Sequence, residues 1–240
     1  RQLTENIRAR DDPEFAEMIQ NIGEDLGEKR RLPGITQPLT RLKGIETEDS
    51  LPDLMRWVFP QPEDPYECSG RAILAGTNEQ IDKVNEEMLK LIEGPETVLQ
   101  SCDRPEMDES NDCHNLPKET MAEMDDVGVP PHRLSLKVGA VAMVMRNLDF
   151  GAGLVNSRKV IIRRIHKHVV VVETPTDDGR PGPQHCIHRI DFHFQAGGKG
   201  VGIIRRQFPL RIAYCLTYNK SQGQTLDRVG LYLEVWPSIL

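Results

Sequence analysis

Apolar and polar positions change period along this chain, and the changes mark its elements. Residues 72–75 are an unbroken apolar run of strand length after Arg71, followed by the polar break Gly76-Thr77-Asn78. From there Ile81, Val84, Asn85, Met88, Leu89 and Ile92 recur at helical spacing until Gly94-Pro95 stops the pattern. The spacing therefore predicts strand, turn and helix, one α/β unit. Upstream, Asp12 and Pro13 are a cap and a first-turn proline for a helix carrying Phe15, Met18, Ile19 and Ile22. Residues 25–49 are charged and broken by Pro33, Gly34 and Pro38, which predicts a linker. Leu54, Met55, Trp57 and Val58 predict a short amphipathic helix over 51–59, ended by Pro60, with a loop over 60–70.

Downstream of residue 96 the character changes twice. Residues 96–128 are acidic and poor in apolar side chains. They predict a short strand at 97–100 and a loop at 103–115, and the whole segment 96–128 is expected to remain outside. Residues 129–207 read as β structure. Alternation at 134–138, an apolar run at 140–145, a hairpin of 160–165 with 169–174, alternation at 187–194 and a run at 201–205 are separated by Gly- and Pro-rich turns. Five or six short strands with such turns predict a small barrel.

The third region is the most unusual. An apolar run at 210–216, broken only by Arg211, leads into Asn219-Lys220-Ser221-Gln222-Gly223-Gln224-Thr225, and a second apolar run at 229–233 follows. Both runs are expected to be buried strands. Lys, Ser, Gln and Thr side chains beside a glycine amide suit contacts to phosphate oxygens; an ordinary polar turn is the alternative reading of the same residues. Thr77 and Asn78 lie at the end of their strand, where open α/β sheets place ligands; Asn78 could equally cap the helix that follows.

Bulk properties narrow the classes. With 240 residues, 38% hydrophobic and 28% charged, the chain is long enough for one large domain or two small ones and has globular composition. No run of about 18 apolar residues occurs, so no membrane span is expected. The start, Arg1-Gln2-Leu3-Thr4, does not read as a signal peptide and lacks an initiator Met, as a fragment would. Five cysteines without a Cys-x-x-Cys pair give neither a disulfide framework nor a zinc ribbon. His185, Cys186, His188 and His193 crowd together, but strand alternation sends His185 and Cys186 to opposite faces, and no metal site is expected. The net charge of −7 runs against a nucleic-acid binder. Residues 131–212, however, hold 14 Lys/Arg against 5 Asp/Glu, leaving −16 on the remainder. Phosphate binding depends on local potential rather than total charge.

The stretch from Thr217 to Leu233, with Asn-Lys-Ser-Gln-Gly-Gln-Thr at its centre, resembles motif V of superfamily 1B DNA helicases of the petite-integration-frequency (PIF) type, including the helicase half of Helitron transposons. Three further stretches resemble that family in order. They are 3–24 (Leu-Thr-Glu-Asn-Ile-Arg-Ala at its start), 72–89 (Ala-Ile-Leu-Ala-Gly-Thr-Asn, like motif IV), and 129–156 (like the start of an inserted small-barrel domain). Three positions depart from the pattern: Gly76 stands where the family usually has Pro, Ser157 where a Gly often follows Asn, and Tyr218 in place of a smaller apolar residue.

The resemblance implies an α/β fold: a partial RecA-like (P-loop NTPase) second motor domain with an inserted small β-barrel. Residues 1–24 would end the first motor domain, 25–128 open the second, 129–207 form the barrel and 208–240 return to the second. It implies the C-terminal part of an ATP-dependent 5′-to-3′ DNA helicase, with ATP and Mg2+ bound by the intact enzyme. Partners would be single-stranded DNA or a fork and a missing N-terminal motor domain, with no membrane. Thr77, Asn78, Lys220, Ser221, Gln222, Gly223, Gln224 and Thr225 would hold the DNA backbone, and Arg8 would help sense the nucleotide. The compartment would be the nucleus, or alternatively the mitochondrion, and repair, recombination, telomere maintenance and transposition all fit. The sequence has no Gly-x-x-x-x-Gly-Lys-Ser/Thr loop and no apolar strand ending in Asp-Glu, so the chain alone is expected not to hydrolyse a nucleotide. The competing readings are a non-catalytic nucleic-acid-binding module, a degenerate transposon-derived helicase fragment, and an interaction protein with an acidic surface.

Overall fold

The computed structural model describes residues 13, 14, 16, 17, 20, 29, 30, 39, 40, 48, 50–106, 117–126, 128–176, 178–196 and 201–233. The chain divides into two compact units, Arg1–Glu48 and Asp49–Leu240. In the first, residues 13, 14, 16, 17 and 20 are helical, as the capping signal predicts. The expected linker contains a short antiparallel pair, β1 (Lys29–Arg30) with β2 (Leu39–Thr40). Arg8 lies outside the described residues.

In the second unit, α1 (Leu51–Val58) starts where the side chain of Ser50 accepts from the Asp53 amide, with Pro52 in the first turn. The predicted loop at 60–70 contains a helix, α2 (Pro65–Ser69). Asp64 accepts from the amides of Tyr66 (2.9 Å) and Glu67 (3.2 Å), and Pro65 begins the turn. Five residues with one buried apolar side chain, Cys68, are too few to show a helical period.

β3 (Arg71–Ala75) and α3 (Asn78–Leu91) form the predicted α/β unit. β3 is the centre of a parallel sheet with β14 (Cys215–Thr217) on one side and β15 (Arg228–Tyr232) on the other. Ile73 and Ala75 face α1 and α3 in the main core, while Ala72, Leu74 and Leu216 pack on the opposite face with Met143 and Ala213. Gly230 is needed where α1 crosses β15: a Cβ there would meet Val58 Cγ2 at 2.7 Å and Leu54 Cδ1 at 2.8 Å. Contrary to expectation, β15 is not a buried strand. It is an edge, and Val229 and Leu231 are exposed.

The remaining strands are β4 (Thr97–Gln100), β5 (Cys102–Pro105), β6 (Arg133–Leu136), β7 (Val141–Val144), β8 (Lys159–Ile165), β9 (Val169–Glu173), β10 (Gln184–His188), β11 (Ile190–Ala196), β12 (Val201–Gln207) and β13 (Leu210–Ile212), with α4 (Lys118–Glu123) after β5. They form three antiparallel sheets, ordered β10-β9-β8-β7-β13, β11-β12-β5 and β4-β6. A closed barrel was expected, but among the described residues these sheets are open.

The acidic segment does not stay outside. β4 pairs with β6, β5 pairs with β12, and Met121 of α4 is buried. The cause is Arg205 of β12, which is fully buried. Its guanidinium meets Asp103 at 3.0–3.2 Å and Asp125 at 2.9 Å. It also donates to the carbonyls of Met121 (3.0 Å), Met124 (2.8 Å) and Pro130 (3.2 Å), and lies over the Phe194 ring. Acidity here neutralises a buried cation and brings the segment in.

The apolar run at 210–216 serves two sheets. Residues 210–212 join β7 antiparallel, and 215–217 join β3 parallel. Asn85 of α3 holds the crossing: its Oδ1 accepts from the amides of Tyr214 (3.0 Å) and Cys215 (2.8 Å), and its Nδ2 donates to the Cys215 carbonyl (3.2 Å). The Tyr214 hydroxyl accepts from the Val141 amide at 2.9 Å. Strand pairing thus runs across both expected boundaries, 128/129 and 207/208.

Candidate nucleic-acid interface

The parallel sheet brings the two sequence-predicted stretches to one edge. Thr217 is in register with Ala75, so β14 and β3 end side by side, and the chain leaves β3 into Gly76-Thr77-Asn78 and β14 into α5 (Tyr218–Ser221). Two stretches about 140 positions apart in sequence therefore leave neighbouring parallel strands at their carboxyl ends, the usual ligand position of open α/β sheets.

Thr77, not Asn78, caps α3. Its Oγ1 accepts from the Gln80 amide while Gln80 Oε1 accepts from the amides of Thr77 and Gly76, all at 3.3 Å. The Thr77 hydroxyl proton remains for an outside acceptor. Asn78, the first helical residue, is exposed and lines a cleft of about 450 Å3 with Asp82, Arg133 and Arg211.

Within 218–225 the residues divide by role. Ser221 donates to the Tyr218 carbonyl at 2.7 Å, and Gln224 Nε2 donates to the carbonyls of Lys220 (2.8 Å) and Ser157 (3.5 Å). These two side chains build the turn and tie it to the loop before β8. Gly223 has φ 81, left-handed backbone with open space where a Cβ would stand. Gln222, Gly223 and Thr225 are exposed. Lys220 is half-buried, and its pKa is lowered, first by burial and then by the positive charges of Arg211 and Arg146. Arg211 is paired with Asp82 at 2.6 Å, and Arg146 lies over the Phe192 ring at 4.7 Å. Like charges therefore gather beside a turn whose Gln222 and Thr225 side chains are exposed.

Sequence reasoning missed Arg146 and Arg211. The available signal was Arg211 itself, the one charge inside an apolar run. Among the described residues, no three of His, Cys, Asp and Glu converge to hold a metal ion.

Ser157 is the one non-glycine residue with positive φ (70°) among the described residues. It is also a position where the resemblance finds glycine more usual. Glycine would adopt that backbone conformation without the strain a side chain brings.

The architecture is a three-stranded parallel sheet with helices, to which three antiparallel sheets are added. Residues 119–165 match the family model described as DNA helicase Pif1, 2B domain. The ATP-dependent DNA helicase PIF1 of Danio rerio is 31% identical over 162 residues, 65% of this chain and 22% of that protein. The human PIF1 is 36% identical over 108 residues, 42% of this chain and 15% of that protein. The chain thus spans about a fifth or less of the curated relatives it matches. The fold is shared with Pif1 helicase from Candida albicans (TM-score 0.59, 23% identity, 95% of this chain and 49% of that one). It is shared also with Bacteroides Pif1 in complex with ADP-AlF3 and ssDNA (TM-score 0.54, 20% identity, 95% of this chain and 44% of that one). Over part of its length, this chain is similar to PIF1-type helicases.

Proposed function

We propose that this chain is the C-terminal part of an ATP-dependent 5′-to-3′ DNA helicase and that it holds the single-stranded DNA backbone at the carboxyl ends of β3 and β14. The observation that carries this reading is the register of Thr217 with Ala75, which sets Asn78 and the Lys220 turn at one sheet edge. The Gly223 amide region, Gln222, Thr225, Asn78 and the Thr77 hydroxyl contact successive phosphates, and the Lys220, Arg146 and Arg211 charges attract them. Such contacts position a strand without reading its sequence. The β-rich part from 129 to 207 is the inserted small domain, and its Ser157 carbonyl steadies the turn through Gln224.

ATP and Mg2+ belong to the intact enzyme in this reading. The sequence holds no phosphate loop, and the described residues hold no cluster of metal ligands, so this chain's residues do not fit a magnesium–triphosphate cradle and no hydrolytic step is assigned to them. Its contribution is one wall of the cleft, and the purified chain alone is expected to release no phosphate from ATP. Steady release that survives repurification refutes that.

The binding test is fluorescence anisotropy with a labelled oligothymidylate across a salt series. Lys220→Ala with Gln222→Ala should weaken binding for every base composition and flatten the log K against log salt slope by about 1, the loss of one cationic phosphate contact. Unchanged affinity and slope remove the site assignment. Tight binding that persists while addition of an N-terminal motor domain yields no DNA-stimulated ATPase favours a non-catalytic binding module.

A further inference from the structure

β10 is one edge of the five-stranded sheet, with β9 on its inner side. The register fixes which of its backbone groups that pairing uses. Gln184 lies opposite Glu173, so one step further out Pro183 lies opposite Thr174, and the Thr174 amide donates to the Pro183 carbonyl at 3.1 Å. Opposed residues in an antiparallel ladder alternate between bonded and non-bonded pairs. The bonded pairs are therefore Pro183 with Thr174, His185 with Val172 and Ile187 with Val170. The backbone groups of Gln184, Cys186 and His188 point the other way, outward from β9. Each of these three residues presents an N–H and a C=O there, and among the described residues none of those groups has a hydrogen-bond partner.

That open edge faces a cavity. A pocket of about 480 Å3 is lined by every residue of β10, from Gln184 to His188. Successive side chains of a strand leave opposite faces of its sheet, so a pocket that meets consecutive residues lies against the strand's edge and not against one face. The far wall is the turn between β7 and β8, where Leu148, Asp149 and Leu154 line the same pocket. Backbone bonds hold that wall: the Leu148 amide donates to the Leu154 carbonyl and the Leu154 amide to the Asp149 carbonyl, both at 2.9 Å. Leu154 and Ile187 belong to the main core and Leu148 packs against it, so the slot has an apolar floor. The gap stands where a further strand would lie beside β10.

An unpaired row of donors and acceptors next to an apolar slot is a template for another extended chain. A nucleic-acid backbone has no matching row of alternating amides and carbonyls, whereas a polypeptide strand has one. Charge at the end of the slot selects further. His188, the last residue of β10, lies opposite Val169, the first of β9, so β10 finishes at the β8–β9 turn. Lys167 in that turn and Arg164 just before it are exposed, and among the described residues neither pairs with a carboxylate. Asp149 is the only carboxylate lining the slot.

We propose that the outer edge of β10 and the slot beside it dock an extended segment of a partner protein, which adds to the sheet as a sixth strand. The added strand runs antiparallel to β10, as the rest of this sheet does and as backbone pairing slightly favours. Its apolar side chain sits over Leu154 and Ile187, and its N-terminal end carries acidic residues that meet Lys167 and Arg164. This surface is not part of the Lys220 turn, and the proposal stands independently of the DNA reading.

The probe is a capped, fluorescent hexapeptide, Asp-Glu-Val-Leu-Val-Thr, titrated against the whole chain by anisotropy, with amide exchange followed by NMR. In the free protein the amides of Gln184, Cys186 and His188 should exchange faster than those of His185 and Ile187. Saturating peptide should slow the first three by about tenfold or more and leave the other two unchanged. Two further probes are N-methylated at one or the other set of alternate residues. Only one side of the peptide reaches β10, so one probe should bind about tenfold more weakly and the other like the parent. Cys186→Pro removes an outward N–H and leaves the ladder to β9 intact, because an edge strand tolerates proline on its open side, and it should weaken binding similarly. A thermal melt checks that this variant is folded, and the N-methylated probes test the unaltered chain in any case. Arg164→Glu with Lys167→Glu should weaken this peptide and favour one that begins Lys-Lys. If both N-methylated probes bind like the parent, strand addition is wrong and the proposal is overturned. Absence of peptide binding at millimolar concentration has the same force. So does a labelled oligothymidylate that slows the three amides when the peptide does not, since the occupant is then nucleic acid.

Discussion

Arg205→Met is the sharpest test of how this fold is held. The side chain is fully buried, and its partner Asp103 is 4% exposed. Methionine keeps most of the volume and removes the charge. Asp103 is then left in the interior with only the Ser101 hydroxyl and His132 Nδ1 (3.3 Å). The carbonyls of Met121, Met124 and Pro130 lose their donor as well. Removing one partner of a buried pair costs about 3–5 kcal/mol. The lost carbonyl bonds add less than their sum, because residues 121–130 can swing out to water once released. For a chain of this size, that loss lowers Tm by roughly 6–20 °C. Asp125 provides the contrast: it is 72% exposed, so Asp125→Asn should cost under about 1 kcal/mol despite its 2.9 Å contact with the same guanidinium. In the double variant Arg205→Met with Asp103→Asn no charge is stranded, and it should recover about 2 kcal/mol relative to the sum of the single changes. Urea unfolding followed by circular dichroism gives all four numbers. Hydrogen exchange should show β5 and α4 opening first. If Arg205→Met costs under 1 kcal/mol, or the two changes simply add, the buried pair is not what recruits the acidic segment.

Two other predictions concern single positions. Ser157→Gly should raise stability by roughly 0.5–1 kcal/mol, since a non-glycine left-handed residue costs about 1–2 kcal/mol and glycine returns part of that as unfolded-chain entropy; a loss of stability in a thermal melt would show that the Ser157 side chain matters more than its φ. Lys159 is buried, its Nζ donating to the Arg71 carbonyl at 2.5 Å, and burial lowers its pKa to about 8 from 10.5. Between those values the unfolded chain binds more protons than the folded one, so this group makes stability rise with pH, by about 3 kcal/mol in all. Burial raises Cys68 and Cys215 to about 12, and these thiols act in the opposite direction above pH 9. The readout is therefore the difference between wild type and Lys159→Met from pH 7 to 10, and equal slopes would sink the assignment.

How much of this was legible beforehand follows the length and purity of each pattern. The β3–α3 unit spans about three turns of clear helical period after a clean apolar run, and the β8–β9 hairpin brackets a polar turn; both emerged as read. α2 was missed because a cap and a proline without an apolar repeat resemble a loop. The run at 210–216 was read as one strand because hydropathy reports burial and not partner, and it is the Asn85 amide that divides the run between two sheets. Arg205 was within reach of the sequence. On a strand, residues 203, 205 and 207 share a face, and Ile203 is buried. That alternation required Arg205 and Gln207 to be buried too, which in turn required acids and carbonyls from elsewhere. Gln207 donates to the carbonyls of Leu99 (2.9 Å) and His132 (3.1 Å), fastening β4 and the start of β6 in the same manner.

An acidic chain can still present a cationic surface locally. A net charge of −7 would repel nucleic acid if it were spread evenly. Part of the acidity is instead turned inward. Asp103 is consumed by Arg205, and Glu173 is held ionised by Arg163 and the Tyr66 hydroxyl, whose hydrogen bonds outweigh the burial that pushes its pKa the other way. At the sheet edge the balance runs the other way. Asp82 occupies Arg211, yet Lys220 is still pressed toward its neutral form by the neighbouring cations as well as by burial. An arriving phosphate relieves that pressure and restores the Lys220 charge, so binding should draw a proton from solution at alkaline pH. Calorimetry in buffers of different ionisation enthalpy measures that proton directly. The uptake should grow as pH rises toward the lowered Lys220 value and vanish in Lys220→Arg, because guanidinium stays charged throughout. Identical heats in every buffer would mean that the cations at this turn do not face the ligand.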